Sequence, residues 1–100
     1  MVVMRLSRDQ IQNLKITVAS LFKGGTAIRV FGSRLDDTTK GGDLDLLLEL
    51  DERPDLWKKV DLKIALERTL GLPVDVLTMQ RGGFHTPFKR LALSKSVPLP

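Results

Sequence analysis

From Ile11 onward, apolar residues recur at helical spacing as Ile11, Leu14, Val18, Leu21 and Phe22. That period predicts a helix over 8–22 with one face turned to a core. Ser7 before it and Gln10 three places on match a capping box, and Leu6 and Ile11 take the two positions of a hydrophobic staple. Lys23-Gly24-Gly25 predicts its left-handed exit. Thr26 to Phe31 is β-branched and apolar, a mostly buried strand interrupted by Arg29. A polar stretch follows, in which Ser33 to Thr39 reads as a turn of helix and then a loop.

The period then changes to two. Leu44, Leu46, Leu48 and Leu50 fall on one face of a strand, while Asp43 and Asp45 share the other. Pro54 suits a first helical position, and Trp57, Val60, Ile64 and Leu70 predict a core-facing helix ending at Gly71-Leu72. Val74 to Leu77 alternates as a third strand, and a strand–helix–strand crossover favours parallel pairing with the Asp43 strand. Met79 to Thr86 reads as a glycine-containing loop, Thr86-Pro87 opens a last helix through Lys95, and Val97-Pro98-Leu99 suits an edge strand. The pattern predicts one α/β domain over residues 1–100: a small mixed sheet, helices on one face, carboxylates on the other.

The carboxylates carry the first chemical signal. Two aspartates side by side on one strand face repel each other, an arrangement that calls for a cation between them. All-oxygen ligation suits Mg²⁺ or Mn²⁺ rather than zinc. Upstream, Gly32-Ser33 closes a strand in a turn whose free N–H groups can cradle phosphate. Carboxylate-held Mg²⁺ beside a phosphate turn is equipment for nucleotidyl transfer. Two competing motifs fail. Lys40-Gly41-Gly42 lacks the Gly-Lys-Ser/Thr order of a P-loop, and a calcium loop counted from Asp36 would put Lys40 at a ligand position.

These residues resemble a family signature. Phe31-Gly32-Ser33, nine residues, then Asp43-Leu44-Asp45-Leu46 is similar to the motif of the DNA polymerase β-like nucleotidyltransferase superfamily. Gly32-Ser33-Arg34 in so short a chain resembles its minimal nucleotidyltransferases. The resemblance covers roughly Ile28 to Leu77, with Asp36-Asp37 where many relatives have Arg-Gly. It implies the polymerase β-like palm fold and a third carboxylate at Asp75. Asp43, Asp45 and Asp75 would then be catalytic residues and ligands of two Mg²⁺ (or Mn²⁺) ions. Gly32, Ser33 and Arg34 would bind the nucleotide, most commonly ATP. It further implies an antitoxin that transfers AMP to a tyrosine of a small helical HEPN-type toxin made beside it. The alternatives are a catalytically silent antitoxin acting by contact, and an adenylyltransferase for a small hydroxylated molecule.

Composition adds boundaries. Residues 1–75 hold twelve Lys/Arg and twelve Asp/Glu, so Arg81, Lys89, Arg90 and Lys95 account for the whole +4 charge. That basic tail, with Phe84, Phe88, Leu91 and Leu93 among its residues, fits docking to an acidic protein better than tracking nucleic acid. The absence of cysteine excludes disulfides and thiolate metal sites, and with no apolar run of ~20 residues the expectation is a cytoplasmic protein. The single histidine, His85, has no nucleophile beside it in sequence and reads as surface; Trp57 reads as a core or edge aromatic rather than a base-stacking platform.

Overall fold

A computed structural model of the chain describes residues 6–22, 26–31, 44–83 and 85–100. Along them run α1 (Arg8–Leu21), β1 (Thr26–Phe31), β2 (Leu44–Leu50), α2 (Leu56–Leu70), β3 (Val74–Gln80), α3 (Pro87–Ser94) and β4 (Val97–Pro98).

Local signals set most of the element ends. At the start of α1, the Gln10 N–H donates to Ser7 Oγ at 3.1 Å, and the Ser7 N–H donates to Gln10 Oε1 at 2.8 Å. Two donors that the helix leaves orphaned are thus satisfied reciprocally. The glycine exit expected at Lys23-Gly24-Gly25 lies outside the described residues, as does the Ser33–Thr39 segment. Gly71 ends α2 at φ +73°, its N–H donating to the Glu67 carbonyl at 2.9 Å, while Leu72 packs against the core. Thr86 caps α3 with Pro87 at its first position.

The four strands lie in the order β3-β2-β1-β4. β1 pairs antiparallel with β2 and with β4, and β2 pairs parallel with β3. The parallel pair arises because α2 must carry the chain back to the start of the sheet before β3 begins. Leu44, Leu46, Leu48 and Leu50 are buried together with Leu14, Val18 and Phe22 of α1 and its cap and with Leu62, Leu66 and Leu70 of α2. This cluster is the main core, and α1 and α2 also pack on each other. Leu47, on the opposite face by alternation, is buried as well. α3 packs against β1, and the Arg29 side chain ties down the chain end by donating from Nε to Ser96 Oγ at 2.6 Å. The Arg29 interruption of an apolar strand is thereby explained.

Three expectations are corrected. Pro54 is not the first helical residue; Asp55 is the N-cap, its carboxylate accepting the Trp57 N–H at 2.8 Å, and α2 opens at Leu56. A short acid that can accept that N–H caps better than proline, which then sits outside the helix. Second, α2 buries Leu62, Leu66 and Leu70, whereas Trp57, Val60 and Ile64 are exposed at 75%, 39% and 50%. The two stripes are about 150° apart at ~100° per residue. The leucines pack into the leucine face of the sheet, which leaves the bulkier stripe outside. Third, β3 does not stop at Leu77 but continues to Gln80, because Thr78 and Met79 are paired to β2 and buried.

Candidate functional site

β2 is interior to the sheet and β3 is its edge, with Asp45 directly opposite Asp75 in the parallel register. Leu44 and Leu46 of β2, and Val74 and Val76 of β3, face the core, so alternation sends both carboxylates out of the other face. Neighbouring strands stand ~4.8 Å apart, which brings the two acids side by side. Asp45 is half-buried and Asp75 is exposed. Phe31, opposite Asp45 on its other flank, extends the row across β1.

Both acids line a cleft of ≈ 520 Å³ together with Phe31, Leu77, Leu56, Lys59, Val60 and Lys63, and α3 closes it with Phe88. The cleft is therefore apolar-walled with a carboxylate pair on its floor and two lysines on its α2 side. A second hollow of ≈ 350 Å³ lies beside α1, between Lys15, Val18, Phe22, Thr26 and Ile28, with no carboxylate among the described residues that line it.

The start of β3 is held from outside the sheet. Pro73 and Arg81 exchange backbone bonds with Leu44 and Leu50 of β2. By alternation the Val74 N–H and carbonyl point away from β2, where an edge strand leaves them open. Glu67 Oε2 accepts the Val74 N–H at 2.9 Å, and Lys63 Nζ donates to the Val74 carbonyl at 2.5 Å. Lys63 also donates to Glu67 at 3.0 Å and stands 3.8 Å from Asp75 Oδ1. The backbone bond from Val74, then the hydrogen bond from Lys63, hold the Glu67 carboxyl below its ordinary range.

The donor set fits a hard divalent cation. Asp45 and Asp75 offer adjacent carboxylate oxygens on one face, the ligation Mg²⁺ and Mn²⁺ prefer. No group of three or more metal-ligating side chains occurs among the described residues. Asp43, expected to ligate together with Asp45, lies outside them, as do Gly32, Ser33 and Arg34 of the expected phosphate turn.

Residues 11–99 match the family described as "Nucleotidyltransferase domain". The chain belongs to that family. A structure named as a minimal nucleotidyltransferase shares 30% identity and a TM-score of 0.66 with it, over 92% of this chain and 91% of the other. A structure of a tri-AMPylated Shewanella oneidensis HEPN toxin in complex with MNT antitoxin gives a TM-score of 0.74 at 16% identity, covering 95% of this chain and 72% of that one. A further Shewanella oneidensis structure gives 0.73 at 14% identity, with the same coverage. Among curated proteins none matches the sequence.

Two other residues singled out above, Arg81 and His85, are not among the described residues that line the cleft of this nucleotidyltransferase domain. Arg81 pairs with Asp51 at the far end of β2 and β3, and His85 is half-buried. No described helix is long and apolar enough to cross a membrane. Sequence reasoning missed Lys63, Glu67 and Phe88 as neighbours of the carboxylates. The i, i+4 spacing of Lys63 and Glu67 was a visible signal, but it reads equally as a surface ion pair.

Proposed function

We propose that this nucleotidyltransferase transfers AMP from ATP to a tyrosine hydroxyl of a helical HEPN-type protein and acts as its antitoxin. The observation that supports this best is the parallel register that stands Asp45 beside Asp75 on the floor of an apolar-walled cleft. Asp45 and Asp75, with Asp43, would hold the Mg²⁺ ions, which when bound neutralise triphosphate charge and acidify the acceptor hydroxyl. Gly32, Ser33 and Arg34 would receive the phosphates through turn N–H groups and a guanidinium; this part rests on the motif. Asp75, exposed at the sheet edge, serves as ligand or takes the hydroxyl proton. The hydroxyl oxygen bonds to the α-phosphorus, the bond from that phosphorus to the β-phosphate oxygen breaks, and pyrophosphate leaves.

The cleft favours a protein acceptor over a small polyhydroxylated one. Leu56, Val60 and Phe88 offer an apolar rim that suits an aromatic ring, and Lys59 and Lys63 would repel a polycation. Trp57 and Ile64 continue that rim along exposed α2, a surface a helical partner would cover. Support for that partner comes from the neighbouring structure, in which a HEPN toxin stands in complex with an MNT antitoxin.

The test is incubation with labelled ATP, Mg²⁺ and a small helical HEPN-type protein from the same organism, followed by mass spectrometry. The expected product is the partner carrying AMP on tyrosine, lost with Asp45→Asn plus Asp75→Asn. Because the exposed α2 stripe equally suits an antitoxin that acts by contact alone, the same double variant separates the two. If it still neutralises the partner in cells as well as the unaltered chain does, contact is the mechanism and transfer is not.

A further inference from the structure

The third carboxylate sits where a strand is least well held. Asp75 is the second residue of β3, and β3 is the sheet edge among the described residues, where β2 is its one strand neighbour. An edge strand frays from its ends, and a fraying of one or two residues would take Asp75 away from Asp45. The residue before it does not behave as an open edge. Its outward N–H is bound by Glu67 and its outward carbonyl by Lys63, both from one turn of α2. α2 is anchored in the core by Leu62, Leu66 and Leu70, so the two side chains project from a rigid support.

We propose that Lys63 and Glu67 form a clamp on the Val74 peptide groups that holds Asp75 in register opposite Asp45. They are positioning residues for the metal-binding carboxylate rather than catalytic ones. The pair replaces the missing neighbouring strand: an acceptor for the N–H, a donor for the carbonyl, and an ion pair between the two that keeps both aimed. Lys63 adds a cation 3.8 Å from Asp75, which eases the repulsion between the aspartates before any ion arrives. Asp75 then needs little rearrangement to ligate. The inference rests on the reading of Asp45 and Asp75 as ligands, but its first test does not require nucleotide transfer.

The experiment measures Mn²⁺ binding to the full chain by electron paramagnetic resonance, without nucleotide. Glu67→Ala removes the acceptor of the Val74 N–H and should weaken Mn²⁺ binding ~10-fold, with a melting temperature within a few degrees of the parent. Glu67→Gln loses the charge but keeps a carbonyl acceptor, and should stay within ~3-fold of the parent. This separates position from simple electrostatics. In an Asp75→Asn background, Glu67→Ala should have no further effect, since the clamp acts only through Asp75. Amide exchange at Val74 and Asp75, relative to Leu77, should speed up in Glu67→Ala and not in Glu67→Gln. The clamp is overturned if Glu67→Ala leaves Mn²⁺ affinity and Val74 exchange unchanged, or weakens binding equally when Asp75 is already Asn. An Asp75→Asn chain that binds Mn²⁺ as well as the parent would instead sink the ligand assignment, and the clamp's role in it. Where transfer is measurable, Glu67→Ala should lower kcat with little change in the KM for ATP.

Discussion

Trp57 provides the sharpest check on how α2 sits, because it is the only tryptophan in the chain and is 75% exposed. A tryptophan side chain carries ~150–250 Å² of surface, so ~110–190 Å² of this one is in water. In the isolated chain Trp57→Ala should therefore cost under ~0.5 kcal/mol, the usual range for an exposed substitution. Leu66, about two and a half turns along the same helix and 0% exposed, should behave oppositely. Leu66→Ala removes a fully buried core side chain, at ~2–5 kcal/mol. At ~4–8 °C per kcal/mol in a domain of this size, the melting temperature should fall by at least ~8 °C. Urea denaturation followed by circular dichroism gives both numbers, since the signal does not depend on the tryptophan. The fluorescence of Trp57 should be red-shifted and readily quenched by acrylamide in the free chain. With a helical partner bound it should shift to the blue. Covering ~110–190 Å² at ~25 cal/mol per Å² is worth ~3–5 kcal/mol before ordering costs. If half survives those costs, Trp57→Ala weakens the complex by at least ~10-fold at ~1.4 kcal/mol per decade. A Trp57→Ala chain destabilised by more than ~2 kcal/mol, or a Trp57 already shielded from acrylamide, would refute the assigned orientation of α2.

Three further outcomes are expected. Asp45→Asn with Asp75→Asn should abolish Mg²⁺-dependent transfer and leave the melting temperature level or slightly higher. Two carboxylates ~5 Å apart repel by ~1 kcal/mol in a water-like medium, and an exposed contact such as Lys63–Asp75 contributes little, so unfolding at room temperature would show them to be structural. Glu67 titrates below its ordinary range because Val74 and Lys63 bond its ionised form, so its contribution to stability is complete above about pH 4.3 and is lost as pH falls through its lowered value. Acid unfolding curves should show a flatter limb for Glu67→Gln below about pH 4.3, and an unchanged slope there would contradict the clamp's electrostatics. Lys89→Glu with Arg90→Glu should slow association with an acidic partner at low salt, an effect that shrinks above ~0.15 M salt. Surface plasmon resonance at two salt concentrations measures it, and an unchanged association rate at low salt would make α3 ordinary solvated surface.

Much of the fold was legible because its signals are local. Ser7 and Gln10 cap α1 through groups three residues apart, Gly71 ends α2 by a backbone conformation glycine adopts freely, and four leucines at a period of two can only line one strand face. The parallel pairing of β2 and β3 followed from the length of the crossover between them.

What sequence could not decide was which of two apolar stripes on α2 would be buried. Leu62, Leu66 and Leu70 and the set Trp57, Val60 and Ile64 both recur at helical spacing, and only the shape of the leucine face of the sheet distinguishes them. The clamp was invisible for a related reason. Lys63 and Glu67 read as a surface ion pair until β3 proves to be an edge strand whose outward peptide groups need partners. Caps, turns and strand faces depend on residues a few places apart, so the order of amino acids contains them. The choice of buried face and the register of Asp45 against Asp75 depend on groups brought together across the sheet, which only the packed chain defines.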